Sequence, residues 1–313
     1  MLNAHSSQLK PQTSKLTAHL VVWTKSCNFV GMRAKEMIQA MTAAWMPRHG
    51  SDEARAMVRI VFEEIMHWST VDMVLREDRE LDEWEEKRLS EITQRVADGE
   101  PLQYVLGVAR FHGLRFAVTP AVLIPRPETE QLVDMIVDEN PREDLRVLDL
   151  GTGSGCIAIS LARALKFPQV TALDISEEAL AVASTNAKSL KARVNFVRDD
   201  ILTLPAIGTA RWDIIVSNPP YVCRSEAATM ESHVVGHEPS NALFVPDDDP
   251  LRYYRPLIKH AAATLHQGGR LYLEVNSRYA DEVAALAQDA GLADARVHVD
   301  FTGRPRFVTG VRF

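Results

Sequence analysis

The chain has 313 residues, 46% hydrophobic and 25% charged, which is typical of a globular protein with one large and one smaller domain. Its formal net charge of −7 disfavours a protein that holds bare nucleic acid by neutralising phosphates, so no direct nucleic-acid partner is expected. No apolar run approaches the length of a transmembrane helix, and the three cysteines form neither a CxxC pair nor a metal-ligand cluster. We therefore expect a cytoplasmic protein with free thiols, no metal and no membrane partner.

The first 35 residues differ in composition from the rest of the chain. They contain lysines, an arginine and many serines and threonines, but no acidic residue. This composition suits an organellar transit peptide. The alternatives are an unstructured extension, or a start codon assigned upstream of a true start at Met32. We predict that residues 1–35 are a disordered extension.

Residues 36–108 are predicted to form a small helical domain. From Ser51, a possible helix cap, apolar side chains recur at three-to-four spacing through Met66, and Thr70 is placed to cap a second helix. A highly charged third helix is predicted to end at Gly99, with an apolar stripe of Trp84, Leu89 and Ile92. Two roles for this domain stay open: a stabilising cap, or a unit that recognises the substrate.

Residues 109–140 are interpreted as a linker of one hairpin and one helix. Apolar and polar residues alternate over 109–118 around His112-Gly113, a pattern that indicates a short β-hairpin. Pro127 then stands where the first turn of a helix favours proline. The linker joins the helical domain to the rest of the chain.

Residues 141–313 are predicted to form an α/β domain with a Rossmann-like sheet. Helical stretches separate the β-rich runs 146–150, 170–175, 194–197, 213–217 and 270–275. This alternation indicates parallel βαβ units. The chain closes with an antiparallel hairpin of 295–301 and 306–312. A parallel sheet with a reversed C-terminal strand fits a class I methyltransferase better than a nicotinamide dehydrogenase.

A glycine-rich turn follows the first predicted strand, with the sequence Gly151-Thr152-Gly153-Ser154-Gly155. Glycines let the backbone turn sharply and approach a ligand closely. A dinucleotide-binding loop would require a further glycine at Cys156 to seat a pyrophosphate at the helix N-terminus. The loop therefore favours S-adenosylmethionine, which has no phosphate. Cys156 itself is interpreted as a small packing residue.

Asp174 ends the second predicted strand. Because carboxyl ends of neighbouring parallel strands line one crevice, we expect Asp174 to face the glycine loop and accept hydrogen bonds from both cofactor ribose hydroxyls. The alternative is that Asp174 caps the following helix, although Ser176 is also placed to do so. Asp200, after the third strand, is a weaker candidate for a position near the adenine.

The most informative motif is Asn218-Pro219-Pro220-Tyr221, at the end of an apolar strand. The prolines fix the backbone and remove N–H donors, so the turn presents acceptors in a set direction. An NH₂ on a planar group can donate to the Asn218 side chain and the Pro219 carbonyl, while Tyr221 packs on its π-face. This predicts methyl transfer to an amide or amino nitrogen by alignment, without a metal. The alternative is a rigid turn with no chemical role.

Together, three segments resemble the HemK/PrmC family of release factor glutamine N5-methyltransferases. They are Leu123-Ile124-Pro125-Arg126-Pro127-Glu128-Thr129-Glu130, the loop from Asp149 to Gly155, and Asn218 to Tyr221. The resemblance covers approximately residues 51–313. The first segment makes it specific, because DNA adenine methyltransferases share the Asn-Pro-Pro-Tyr turn.

The resemblance implies a substrate, a cofactor and a set of site residues. The substrate would be the glutamine of the Gly-Gly-Gln motif in peptide chain release factors, and the products N5-methylglutamine and S-adenosylhomocysteine. Residues 151–155 and Asp174 would bind the cofactor, and Ile201 would lie beside the adenine where the family often has an aromatic residue. Asn218 to Tyr221 would hold the glutamine, and Asn218 would also contact the cofactor. Ribosomal protein L3 is the alternative substrate. DNA adenine is less favoured in an acidic chain without a basic recognition region, and a non-catalytic cofactor-binding module is less favoured because the turn is intact.

Overall fold

The computed structural model describes residues 31–204, 211–229 and 236–313. Residues 1–30 of the extension that was predicted to be disordered therefore lie outside the described residues. The described residues divide into two compact units, with the boundary between Ala97 and Asp98. No helix in the described part of the chain combines the length and apolarity needed to cross a membrane.

The described part of the first unit contains three helices. They are α1 (Ala34–Met66), α2 (Thr70–Leu75) and α3 (Glu83–Ala97). The predicted helix start at Ser51 is confirmed for the second part of α1, because Gly50, with φ of +75° and ψ of 168°, is not helical and separates two helical segments. The first segment, which begins at Ala34, was not predicted. The cap of α2 is Ser69 and not Thr70: the Ser69 hydroxyl accepts from the backbone N–H of Asp72 at 3.1 Å.

One side of α3 supplies part of the core of the first unit. Leu89 and Ile92 are fully buried, as predicted, and Val96 joins them. Trp84 is 63% exposed, so its assignment to the apolar stripe is wrong. It lies five residues before Leu89, which places it roughly 140° away around the helix.

The second unit begins with helix α4 (Leu102–Leu106) and the predicted hairpin, formed by β1 (Val108–Phe111) and β2 (Leu114–Ala117). Its two turn residues, His112 and Gly113, both have positive φ, at 49° and 71°, as a tight two-residue hairpin turn requires. Helix α5 (Pro127–Glu139) begins at the predicted proline.

A seven-stranded sheet forms the centre of the second unit. Its strands are β3 (Arg146–Leu150), β4 (Gln169–Asp174), β5 (Val194–Arg198), β6 (Trp212–Ser217), β9 (Leu265–Glu274), β10 (Leu292–Val299) and β11 (Pro305–Arg312). The spatial order is β10-β11-β9-β6-β3-β4-β5. Strands β9, β6, β3, β4 and β5 are parallel, and β11 runs antiparallel to both β9 and β10. The predicted strands and the reversed C-terminal strand are confirmed.

Helices cover both faces of the sheet. The face with Leu148, Leu173 and Ile215 packs on α9 (Tyr254–Thr264) and α10 (Ala280–Asp289). The opposite face packs on α5 and on two further helices, α6 (Cys156–Ala164) and α7 (Glu177–Ser189). Short elements complete the unit: β7 (Val222–Cys223), α8 (Ser240–Leu243) and β8 (Phe244–Val245).

The strand order places two loops side by side. The chain leaves β3 toward β4 and β5 on one side, whereas β6 and β9 lie on the other side of β3. The carboxyl ends of β3 and β6 therefore meet where the order reverses, with Leu150 paired to Ser217. In doubly wound sheets such a switch point forms the ligand crevice.

Candidate active site

The glycine loop connects β3 to α6 in a conformation that needs glycine. Gly151, Gly153 and Gly155 have φ values of +79°, +54° and +82°. The backbone N–H groups of Gly151 and Thr152 donate to the Leu173 carbonyl at 2.8 and 2.9 Å, which fixes the loop to β4. The carbonyl of Ser154 accepts from the Asn186 side chain at 2.9 Å. The loop is thus held at both ends.

Asp174 faces this loop, as predicted. Its carboxylate accepts from the Gly153 N–H at 2.8 Å and from the Ser176 N–H at 3.0 Å. The cap of α7 is Ser176, whose hydroxyl accepts from Ala179 N–H at 3.1 Å. Because each carboxylate oxygen has two lone pairs, Asp174 retains capacity to accept from a ligand.

Asp149, which sequence reasoning gave no role, lies fully buried behind the loop. Its Oδ2 accepts from the Thr152 hydroxyl at 2.6 Å and from the Ala158 N–H at 3.2 Å, while Oδ1 has no hydrogen-bond partner among the described residues. Burial raises the pKa of Asp149 to about 7. Burial also raises the pKa of the neighbouring Cys156 thiol to about 12, which disfavours its thiolate form.

A cavity of about 230 Å³ opens beside the loop. Its lining includes residues 151–154, the carboxyl end of β4, and the short helical turn 201–203. Ile201 is 7% exposed and close enough to Gly151 that a Cβ there would lie 3.3 Å from it. Asp200 also lines the cavity and accepts from the Leu202 N–H at 2.8 Å. The loop, Asp174, Asp200 and Ile201 are thus brought together.

The chemistry of this lining fits S-adenosylmethionine. Among the described lining residues are two carboxylates, Asp174 and Asp200, and aliphatic side chains at Ile175 and Ile201. Ile175 is 52% exposed, so a bound base would cover apolar surface. The guanidinium in the lining, Arg126, already pairs with the buried carboxylate of Glu238 at 2.6 Å. An acidic, partly apolar site favours a cationic nucleoside over a polyphosphate.

The Asn-Pro-Pro-Tyr turn lies directly across from the loop. Asn218 lines both the 230 Å³ cavity and an adjacent one of about 100 Å³. Pro220 lines the larger cavity, whereas Pro219 and Tyr221 line the smaller one. Asn218 therefore stands at the junction of two spaces, one beside the glycine loop and one beside the acceptor turn.

Hydrogen bonds behind the turn link residues from three elements. The Asn218 Nδ2 donates to the Thr129 hydroxyl at 3.2 Å, and that hydroxyl donates to Glu274 Oε2 at 2.7 Å. The Tyr221 hydroxyl donates to Glu274 Oε1 at 2.9 Å. Burial raises the pKa of Glu274, and hydrogen bonds from Thr129 and Tyr221 together with the charge of Arg306 oppose that rise.

Arg306, on β11, completes this group. Its guanidinium lies 6.0 Å from the centre of the Tyr221 ring and donates to the Tyr221 hydroxyl at 3.4 Å. Its Nε donates to Asp300 at 3.3 Å. Burial raises the pKa of Tyr221 well above its ordinary value. The phenol is therefore neutral.

Sequence reasoning missed Thr129, Glu274, Arg306 and Glu238. Thr129 stood in a segment singled out for its resemblance, without a role of its own. Glu274 had a usable signal, since it ends the parallel strand next to β6. Arg306 and Glu238 carried none, because the site residues they contact, Tyr221 and Arg126, lie 85 and 112 residues away in the chain.

Comparison with known proteins shows which family the chain belongs to. The family described as PrmC N-terminal domain matches residues 40–107, and the family described as Methyltransferase small domain matches residues 128–238. A release factor glutamine methyltransferase of Bacteroides thetaiotaomicron is 43% identical over 83% of this chain and 94% of its own length. One from Deinococcus radiodurans is 36% identical over 90% of this chain and 99% of its own.

Among solved structures, a methyltransferase from Pyrococcus furiosus is 17% identical, with a TM-score of 0.49, over 71% of this chain and 98% of its own. The observed sheet, with its antiparallel β11, is the class I methyltransferase arrangement predicted from the sequence. On the extent and identity of its relatives, the chain belongs to the release factor glutamine methyltransferase family.

Proposed function

We propose that this protein transfers the methyl group of S-adenosylmethionine to the side-chain amide nitrogen, N5, of the glutamine in the Gly-Gly-Gln motif of peptide chain release factors. S-adenosylhomocysteine is the second product. The observation that carries the proposal is the position of Asn218 between the two cavities. A methyl donor bound at the glycine loop and an amide bound at the Asn-Pro-Pro-Tyr turn would be adjacent at Asn218.

When bound, S-adenosylmethionine would supply a methyl group whose carbon is the electrophile: the methyl–sulfur bond would break as the methyl–nitrogen bond forms, and the amide would release one proton to solvent. An amide nitrogen is a weak nucleophile because its lone pair is delocalised into the carbonyl. The protein compensates by alignment: Asn218 Oδ1 and the Pro219 carbonyl accept the two N–H bonds of the target amide and turn its lone pair toward the methyl group. Such alignment can contribute roughly 7–11 kcal/mol to lowering a barrier.

The direct test is methylation of candidate substrates by the purified protein. Labelled S-adenosylmethionine is incubated with release factors, ribosomal protein L3 and DNA, each alone. We expect label on the Gly-Gly-Gln glutamine of release factors, identified by mass spectrometry. Label on L3 or on DNA adenine, with none on release factors, would replace the proposed substrate.

The ribose role of Asp174 predicts a loss of cofactor affinity on truncation. Asp174→Ala should weaken S-adenosylmethionine binding by about 1–3 kcal/mol, roughly 5-fold to 150-fold in Kd, measured by calorimetry. Because Asp174 also accepts from Gly153, a cofactor analogue lacking both ribose hydroxyls separates the two effects. The analogue should bind the wild type and the variant equally; if it too loses affinity in the variant, Asp174 acts by holding the loop. Asp138→Ala, on an exposed part of α5, serves as the control.

We also propose that residues 36–108 recognise the folded release factor. Apolar side chains are exposed on α2, where Val71, Val74 and Leu75 are 65%, 65% and 78% exposed. Exposed apolar clusters of this kind commonly mark protein-binding surfaces. Leu75→Asp should raise the KM for an intact release factor by roughly 10-fold and leave that for a short Gly-Gly-Gln peptide unchanged. If the KM of Leu75→Asp for the intact release factor equals that of the wild type, this surface of α2 does not recognise the release factor.

A further inference from the structure

Glu274 is a buried carboxylate that the proposed reaction does not use. It ends β9, is 1% exposed, and accepts hydrogen bonds from two hydroxyls, those of Thr129 and Tyr221, at 2.7 and 2.9 Å. Neither of the two cavities has Glu274 in its described lining. Any influence on the reaction must therefore pass through the residues it contacts.

The direction of these hydrogen bonds follows from the chemistry of the groups. An ionised carboxylate can only accept, so the single proton of the Thr129 hydroxyl points to Glu274. The Thr129 oxygen can then only accept from its other neighbour, and the Asn218 amide must turn its NH₂ side to it. The Tyr221 hydroxyl accepts from Arg306, so its proton also points to Glu274. Burial raises the pKa of Glu274, whereas the two hydroxyl donors and the Arg306 charge oppose that rise and favour the ionised form.

The direction of these hydrogen bonds determines which end of the Asn218 amide is free to bind a substrate. The NH₂ and C=O ends of an asparagine side chain are nearly equal in size, so packing alone scarcely distinguishes the two orientations. With Nδ2 committed to Thr129, Oδ1 is the end left to accept from a donor. In the flipped orientation, two acceptor oxygens would face each other at Thr129, and an NH₂ would face the N–H bonds of the target.

We propose that Thr129 and Glu274 are positioning residues that fix the orientation of the Asn218 amide, so that its oxygen faces the nitrogen to be methylated. The proposal rests on the proposed function, because it assigns the Asn218 oxygen as the acceptor of a substrate N–H. It adds a relay of three groups, from the Glu274 carboxylate through the Thr129 hydroxyl to the Asn218 amide.

The test compares two substitutions at Thr129 in the full-length protein. Thr129→Val keeps the shape and removes the hydroxyl, whereas Thr129→Ser keeps the hydroxyl. Thr129→Val should lower kcat by about 10-fold to 100-fold, because the amide loses its preferred orientation and a buried polar group loses its partner. The KM for release factor and the Kd for S-adenosylmethionine should change by less than about twofold, because valine keeps the shape of Thr129 in the lining of the 230 Å³ cavity. Thr129→Ser should restore kcat to within about threefold of the wild type, since the hydroxyl can donate to Glu274 again.

A double substitution shows whether Thr129 acts through Asn218. If it does, adding Thr129→Val to Asn218→Ala should lower kcat no further than Asn218→Ala alone, since effects within one relay are not additive. A wild-type kcat in Thr129→Val overturns the proposal, as does a full additional loss in the double variant. Failure of the proposed function is a different result: the wild type itself leaves release factor unlabelled. If the wild type instead labels another amide or amino nitrogen, the same kcat comparison is made on that substrate.

Discussion

Replacing Asn218 by alanine should lower kcat for release factor methylation by roughly 100-fold to 1,000-fold, the range found when one preorganised dipole is removed from an active site. The physical reason is that the target amide then keeps only the Pro219 carbonyl as an acceptor, and its lone pair is no longer directed at the methyl group. Cofactor binding should stay within about threefold of the wild type, because the glycine loop and Asp174 are untouched. Steady-state kinetics and calorimetry on the same preparations measure both quantities.

The matched control for this variant is Asn195→Ala, which removes an exposed asparagine of β5 without touching either cavity. Its kcat should equal that of the wild type. Full activity of Asn218→Ala on release factor would remove the Asn-Pro-Pro-Tyr turn from the chemistry. A loss of cofactor affinity as large as the loss of kcat would instead show that Asn218 acts mainly by binding the cofactor.

Gly155→Ala should destabilise the protein by about 2–4 kcal/mol, which combines the cost of left-handed backbone with that of overpacking. The residue has φ of +82°, and a Cβ there would lie 2.9 Å from Ile159 Cδ1 and 3.2 Å from the Ala183 Cβ. Both neighbours belong to helices that pack on the sheet, so neither can move freely. The free energy of unfolding from urea titration measures the loss.

Gly303→Ala separates the two contributions to that loss. Gly303 has nearly the same φ, +81°, but a Cβ at this position would have no atom within 4 Å beyond its own chain neighbours, among the described residues. This variant should lose only the backbone contribution, about 1–2 kcal/mol. Equal losses in the two variants would show that close packing at Gly155 is unimportant and that backbone conformation alone explains its glycine.

Sequence patterns predicted the sheet well because its strands are buried and its helices carry clear signals. The strand 146–150 and the helix 177–189 have their predicted bounds, and Ser176 caps that helix. The first unit was predicted less well. Its helix α1 continues through Pro47, a residue that normally interrupts helices, and is broken at Gly50. The segment from Ser51 onward was therefore predicted, whereas residues 34–49 were not.

The residues of the candidate site also fall into those that the sequence predicted and those that it did not. Residues placed by strand ends, such as Asp174 and Asn218, were predictable because parallel strands present their carboxyl ends together. Thr129 and Glu274 were not assigned to the site, because they lie 145 residues apart in the chain. In the fold their side-chain oxygens are 2.7 Å apart. Side-chain pairing over such a separation depends on how α5 packs against β9, which no local pattern encodes.

The position of β11 has a consequence for biosynthesis. This strand lies between β9 and β10, and it carries Arg306 to the hydroxyl of Tyr221. In a growing polypeptide, β9 lacks this neighbouring strand until residues 305–312 have left the ribosome. The glycine loop, Asn218 and Glu274 have already been made by then. Until β11 has been made and has paired with β9, Tyr221 therefore lacks its Arg306 donor.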